Sequence, residues 1–356
     1  MYRRQVGGKG WLGQVAAGGG GWRRVAAGSG PVMIPRMKLG VFAVLFGDKP
    51  FEETLDYVAS LGLEAIEIGC GAYPGDAHCK PTQLLSSAKR LREFKAAVEE
   101  RGLEISALSC HGNPLHPDKK TARAHHEAFL KTVALAEQLE VRTVVTFSGC
   151  PGGDAKATQP NWIVSPWPPE FAEALEWQWK ERVVPYWTDT ARVAKSAGVR
   201  VAIEMHPNFV AYNAESMLRL SAVSPKTIGC NFDPSHLFWQ QSDPVAAIRA
   251  LGDRIFHVHA KDCRIDTANT RVNGVLDSKN YTRELERSWI FRTVGFGNDA
   301  LVWKDIISNL RMVGYDHAIS IEHEDSLMAP DEGLKKAVEF LRPMIISKPK
   351  GEAYWA

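Results

Sequence analysis

The sequence predicts an α/β fold, a single-domain (β/α)8 TIM barrel, on three observations. From Met37 onward, short apolar runs alternate eight times with longer amphipathic stretches. Four of those stretches end in a glycine just before the next apolar run, at Gly62, Gly102, Gly198 and Gly314, where a left-handed cap closes a helix. The first strand-to-helix turn, Phe46 to Pro50, has no Gly-x-Gly-x-x-Gly, and no Gly-Lys-Ser/Thr loop occurs anywhere, so an open nucleotide-binding sheet loses its main support. Eight units over about 310 residues suit a closed barrel of ~250 residues with insertions.

In order, Lys38 to Leu45 has the Val, Leu and Phe content of a first buried strand, followed by a helix at Phe51 to Leu61. A strand at Glu64 to Ile68 precedes a helix at Pro81 to Arg101, and a strand at Glu104 to Ser109 precedes one at Lys119 to Leu139. Next come a strand at Arg142 to Phe147 and a long helix at Glu170 to Ala197, then Arg200 to Glu204 with Ala214 to Ser221. Thr227 to Asp233 pairs with helix Pro244 to Leu251, Arg254 to His259 with Leu301 to Val313, and Ala318 to Glu322 with Asp331 to Met344. The two longest insertions, Gly149 to Pro169 and Lys261 to Ala300, follow the fourth and seventh strands, so a barrel carries both on its C-terminal face.

Residues 1–36 stand apart: they hold ten glycines, six Lys or Arg and no acid, leaving the remaining 320 residues at −4. They are expected to be a disordered extension explained by an upstream-extended start, with Met33 or Met37 as the natural first residue. The barrel then spans 37–346 and a C-terminal tail 347–356. A mildly acidic body argues against a surface built for nucleic-acid backbone. No apolar run reaches the ~18 to 20 residues of a membrane span. Six scattered cysteines without a Cys-x-x-Cys pair read as reduced thiols of a cytoplasmic protein.

Polar residues collect at four consecutive strand ends: Ile203-Glu204-Met205-His206, Asn231-Phe232-Asp233-Pro234-Ser235-His236, His257-Val258-His259-Ala260-Lys261 and Ser320-Ile321-Glu322-His323-Glu324. Alternate strand residues share a face, and Ala202, Asn231, His257 and Ser320 two positions earlier are smaller or more polar than their neighbours, which puts the acids on the inward face. An ionised group there is costly unless paired, metal-bound or at the open rim. Glu204, Asp233, His259 and Glu322 form an O3N set suited to one divalent ion, Mn first among Mn, Co, Mg and Zn. The competing reading is a rim network of ion pairs with Lys261, Arg264 or one another.

In "IEMHP" (203–207), "NFDPSH" (231–236), "HVHAKD" (257–262) and "SIEHED" (320–325), with "AIEIG" (65–69) and "SCHGNPLHP" (109–117), the chain resembles the xylose-isomerase-like TIM-barrel superfamily, sugar phosphate isomerase/epimerase branch, over residues 37–346. The resemblance implies a metal held by Glu204, Asp233, His259 and Glu322, with the two glutamates moving a proton next to a carbonyl. Such chemistry creates an enediolate whose charge needs a cation and whose carbon needs a base. The product is an epimer if the glutamates flank the carbon, or an aldose-ketose isomer if one acts on adjacent carbons. The resemblance also implies that His236 and Arg264 bind substrate. Glu67, His111 and Lys261 are further substrate-binding candidates, and His206 and Glu324 are expected to orient the ligands from behind.

Trp162, Trp167, Trp239 and Trp289 lie in loops after the fourth, sixth and seventh strands, where indole faces suit a pyranose and long loops can enclose a glycoside. Trp177, Trp179 and Trp187 read as core or as contacts to another subunit of a homo- or hetero-oligomer. The expected activity is therefore that of a metal-dependent isomerase or epimerase on a ketose, sugar phosphate or keto-glycoside. The alternative is a lyase or deglycosidase opening a keto- or C-glycoside at the same site. An apurinic endonuclease of this superfamily fits less well, because Cys263 to Asn269 lacks the His-x-His its trinuclear zinc cluster needs and the body is acidic.

Overall fold

The computed structural model of the chain describes residues 36–348, 351–352 and 355. The expectation for residues 1–36 lies outside these except at Arg36, whose guanidinium donates to the Glu64 carboxylate at 3.1 Å. Of the stretch 347–356, Lys348 offers its carbonyl to Arg311 at 3.0 Å.

Val- and Ile-rich runs too short for helices form ten strands. These are β1 (Lys38–Phe42), β2 (Ala65–Gly69), β3 (Glu104–Ser109), β4 (Thr143–Phe147) and β5 (Arg200–Glu204). They continue with β6 (Ile228–Phe232), β7 (Ile255–Ala260), β8 (Asp262–Ile265), β9 (Trp289–Arg292) and β10 (Ala318–Ile321). Eight of them close a barrel in the order β1-β10-β7-β6-β5-β4-β3-β2, and every neighbouring pair is parallel. The chain is a TIM barrel. Register shifts interrupt the ladder just before two polar interior residues, between Ile66 and Glu67 and between Cys230 and Asn231.

The main core lies between the outward strand faces and the surrounding helices, with Leu55, Val58, Trp187, Trp303 and Leu334 fully buried against Ile66, Val201 and Ile319. Each such side chain contributes about 1.5–3 kcal/mol on burial. Gly62, Gly102, Gly198 and Gly314 all have φ between +67° and +89°, as the helix endings predict. Trp179 and Trp187 are core residues.

The structure differs locally from the sequence reading at three places, and the two in helices have clear causes. The first strand stops at Phe42, and Ala43–Phe46 winds into a 3-10 turn. The helix expected over Pro81 to Arg101 is two, Pro81–Leu85 and Ala88–Glu99, because the Ser87 hydroxyl accepts from Arg90 N and starts a new helix. The helix expected over Glu170 to Ala197 carries a π-helical segment at Gln178–Val183, just ahead of Pro185, whose nitrogen has no hydrogen to continue the α pattern. A fourth element was not foreseen at all: β8 and β9 form an antiparallel ribbon inside the long insertion after β7.

Close approach rather than backbone freedom governs Gly229 in β6. A Cβ there would meet the Arg254 carbonyl oxygen at 2.4 Å and the Phe256 ring at 2.5 Å, whereas one on Gly198 would meet nothing within 4 Å. Gly229→Ala is expected to lower stability by about 1–3 kcal/mol through overpacking between strands. Gly198→Ala, strained only by its positive φ, is expected to cost about 1 kcal/mol. Urea unfolding of both variants checks the order, and a harmless Gly229→Ala would show that β6 and β7 can move apart.

Candidate functional site

Barrel closure turns strand parity into a cluster. Glu204 ends β5 opposite Asn231, His259 in β7 lies opposite Ser320, and Asp233 and Glu322 follow β6 and β10 directly. One ligand atom from each of Glu204, Asp233, His259 and Glu322 lies within 4.8 Å of the other three. His259 Nδ1 is 3.2 Å from Glu204 Oε2 and 3.0 Å from Glu322 Oε2. Yet His259 Nδ1, Asp233 Oδ2 and Glu322 Oε2 are buried and have no hydrogen-bond partner. Lys261 Nζ lies 3.0 Å from both of those carboxylate oxygens, so the four groups converge as a charged cluster whose donor set also suits a cation.

The supporting contacts fix these orientations. Asp233 accepts Ser235 N on Oδ1 at 2.8 Å, which leaves Oδ2 for the cluster. Glu204 Oε2 is held by Asn231 Nδ2 at 3.0 Å and His111 Nε2 at 2.9 Å. Beneath the cluster, the Glu67 carboxylate accepts from Ser109 Oγ, from His257 Nε2 at 2.9 Å and from His259 Nε2 at 2.9 Å. A proton committed to Glu67 through Nε2 leaves Nδ1 of His259 as the electron-pair donor. Glu67 is fully buried, so the structure places it behind His259 and not at the mouth where a substrate would touch it.

Charge is concentrated here. The carboxylates of Asp233, Glu322 and Glu324 lie 3.0, 3.0 and 3.3 Å from one ammonium, Lys261 Nζ, which is buried. Burial pulls Lys261 down, but Asp233 and Glu322 outweigh it and hold the ammonium well above its usual range. Burial likewise opposes ionisation of Glu204, whereas His111 and the neighbouring imidazoles hold it well below the ordinary carboxylate range. For Glu322, burial is outweighed by Lys261 and His259, which lower it to about 2. Burial lowers His259, but Glu67 and Glu322 raise it well above its usual value: without a metal, a proton supplies the positive charge that the carboxylates demand. Burial and the charge of His236 push His206 down to about 3, and its Nδ1–H donates to the Pro207 carbonyl at 2.7 Å.

Above the cluster opens a cleft of about 330 Å³, whose lining includes Phe42, Tyr73, His111, Phe147, His206 and Glu324. Glu204, Lys261 and Glu322 reach the same cleft. His236 is buried beside it, with Nε2 3.2 Å from Asp233 and 3.3 Å from Glu204. The structure does not bring Arg264 to the site. It lies exposed on the ribbon and donates to the Gly297 carbonyl at 3.2 Å, because ribbon alternation turns it away. Of the four loop tryptophans, Trp239 and Trp289 are buried while Trp167 is 74% exposed.

Asp262 is an organising residue that the sequence reading does not single out. Its Oδ2 accepts Gly295 N, Gly297 N, Asn298 N and Trp303 Nε1 at 2.9–3.2 Å, and its Oδ1 accepts Cys263 N and Asn298 Nδ2. The only signal was an acid directly after the "HVHAK" strand end, before a long insertion with two glycines at 295 and 297.

Comparison with known proteins places this geometry in context. A family model described as xylose isomerase-like TIM barrel matches residues 55–344. The uncharacterized protein YfiH of Bacillus subtilis is 38% identical over 313 residues, 87% of this chain and 99% of YfiH. The rhizopine catabolism protein MocC of Rhizobium meliloti is 28% identical over 280 residues, 79% of this chain and 76% of MocC. The structure of 3-keto-D-glucoside 4-epimerase YcjR from E. coli superposes with a TM-score of 0.59 at 15% identity, over 86% of this chain and 100% of YcjR, a likeness of fold.

Because Asp262 gathers the backbone that returns from the ribbon to the barrel, Asp262→Ala is expected to lower stability by about 3 kcal/mol, the scale of lost charge-assisted hydrogen bonds. Hydrogen exchange should then rise first at residues 293–299. Unchanged protection there would assign the loop's order to other contacts.

Proposed function

The chain belongs to the xylose isomerase-like TIM-barrel family, and from that premise we propose that it is a divalent-metal-dependent sugar isomerase or epimerase. The observation that carries the reading is the convergence of one ligand atom each from Glu204, Asp233, His259 and Glu322, all within 4.8 Å of one another at the end of the barrel. The donor set is three carboxylates and one imidazole, which suits Mn, Co, Mg or Zn, with Mn the first candidate. When bound, such an ion offsets the negative charge that builds on a carbonyl oxygen as the neighbouring C–H is ionised.

The chain's own residues supply the rest. Glu204 and Glu322 both reach the cleft and are held ionised, so either can take a proton from a carbon next to a carbonyl and become a neutral acid. Inversion of the carbon requires the second glutamate to enter the step carrying a proton drawn from solvent and to give it to the opposite face, while the first keeps the proton it removed. Return by the first to the adjacent carbon, with the hydroxyl proton passing to the former carbonyl oxygen, moves the carbonyl. His236, whose Nε2 lies 3.2 Å from Asp233 and 3.3 Å from Glu204 beside the cleft, is the residue proposed to hold a sugar hydroxyl. Lys261 limits repulsion among the acids, while His206 and Glu324 flank the cleft. The substrate is a small-molecule ketose, sugar phosphate or keto-glycoside; opening of a keto-glycoside is the second reading, favoured by the aromatic pocket described below. The six cysteines are all buried and unpaired, which supports a reducing, cytoplasmic setting.

Plasma mass spectrometry of protein purified without chelator should find about one Mn, Co, Mg or Zn per chain, lost in an Asp233→Ala plus His259→Ala variant that keeps its circular dichroism. Ketoses and 3-keto-glycosides should take up solvent deuterium next to the carbonyl, and Glu204→Gln plus Glu322→Gln should abolish it. A protein that neither holds nor acquires metal, or a double glutamine variant with full exchange, would sink the reading. Glu67→Gln, which loosens the His259 tautomer, is expected to weaken metal binding about ten- to hundredfold in a chelator competition assay while the fold persists.

A further inference from the structure

Beside the cleft lies a second cavity of about 440 Å³, lined by Trp162, Trp239, Trp289, Tyr281, Leu276 and Asn208 among others. Its aromatic wall is ordered. The Trp239 and Trp289 rings stack at 5.0 Å and 13°, and Tyr281 meets Trp289 edge-on at 5.9 Å. The buried Arg287 guanidinium lies over both Tyr281 and Trp289, 4.2 and 4.7 Å from their ring centres, and donates to the Trp289 carbonyl.

Two observations separate this pocket from ordinary loop packing. Trp289 Nε1 donates to the Val275 carbonyl at 2.9 Å, whereas the indole nitrogens of Trp162 and Trp239 have no acceptor. Buried indole N–H groups normally find one, and both of these indoles line the same cavity. At the rim, Leu276 is 65% and Tyr281 52% exposed, apolar surface that a bound molecule would cover.

The pocket is one ring away from the metal cluster. Phe291 stacks on Tyr281 at 5.9 Å and 15°, meets the His236 ring edge-on at 5.5 Å, and lies under Lys261 Nζ at 4.8 Å. The turn after β5 joins the two cavities as well, since His206 lines the cleft while Pro207 and Asn208 line the aromatic pocket.

We propose that this aromatic pocket is a subsite for the second ring of a glycoside whose sugar occupies the adjacent cleft. The required chemistry is a flat ring with an apolar face that fills the aromatic-walled cavity and covers Leu276 and Tyr281 at its rim. An aryl aglycone and a second pyranose both offer it. The inference rests on the cleft being a sugar site and narrows the substrate from free ketoses to glycosides.

Calorimetric titration of the full chain with methyl β-glucoside, phenyl β-glucoside and cellobiose tests it. At least one ring-bearing probe is expected to bind about tenfold more tightly than the methyl glucoside. A phenyl preference identifies an aryl aglycone, and a cellobiose preference a pyranose. In Tyr281→Ala and Leu276→Arg, both changes at partly exposed positions, the three affinities should converge. Equal binding of all three by the parent, no binding of any, or an advantage that survives in both variants would overturn the proposal. The Asp233→Ala plus His259→Ala variant separates the two readings. A ring advantage retained there, in a protein whose parent shows no metal or deuterium uptake, defeats only the enolisation reading. Ketose exchange without any ring advantage defeats only the subsite.

Discussion

Mutual repulsion among buried carboxylates is the constraint on which the rest of this molecule depends. Glu204, Asp233 and Glu322 converge at the end of a closed barrel, with Glu67 below and Glu324 beside them. Ionised acids removed from water are tolerated only when opposite charge or hydrogen bonds repay their lost hydration. Lys261 supplies one cation, and the acids around His259 favour a proton on that imidazole. The surrounding polar residues serve the same balance: Asn231 and His111 steady Glu204, and Ser109 and His257 steady Glu67.

Much of this was legible in the sequence because strand parity is a local property. A period of two needs no knowledge of tertiary structure, so Glu204, His259 and the residues two positions before them could be assigned to one face from spacing alone. Depth along the barrel axis is a different matter. Glu67 reads as a mouth residue until it is seen bonded to Ser109, 42 positions away, and His257, 190 positions away. Arg264 is expected at the site from the resemblance and not from parity, but it lies on the ribbon that begins at Asp262 just beyond β7, where a separate alternation turns it outward. The break at Ser87 was visible in principle, since a serine three residues ahead of an unpaired helical N–H is a capping signal, but the strong helical pattern on both sides masked it.

The ribbon shows how a barrel acquires new surface without disturbing its interior. Asp262 gathers the returning backbone at Gly295, Gly297 and Asn298, so the excursion between them leaves and re-enters the fold at a fixed place. Aromatic residues within that excursion, Tyr281, Trp289 and Phe291, can therefore hold a fixed position relative to His236 and Lys261. Stable catalytic groups on strands and adaptable recognition groups on a tethered loop are the usual division of labour in this fold class.

The two register shifts, before Glu67 and before Asn231, have a consequence for how such a chain can change over time. Each arises from one extra residue in the neighbouring strand, Ser106 in β3 and Phe256 in β7, which sets the register of the polar residues that follow it there. Loss or gain of one residue in β3 or β7 would swap inward and outward faces beyond that point, carrying Ser109 or His259 out of the barrel while leaving much of the apolar shell able to form. Descendants of this barrel are therefore free to lengthen, shorten or exchange the loops beyond Asp233 and Lys261, but every workable recombination point must respect the count of residues inside those two strands.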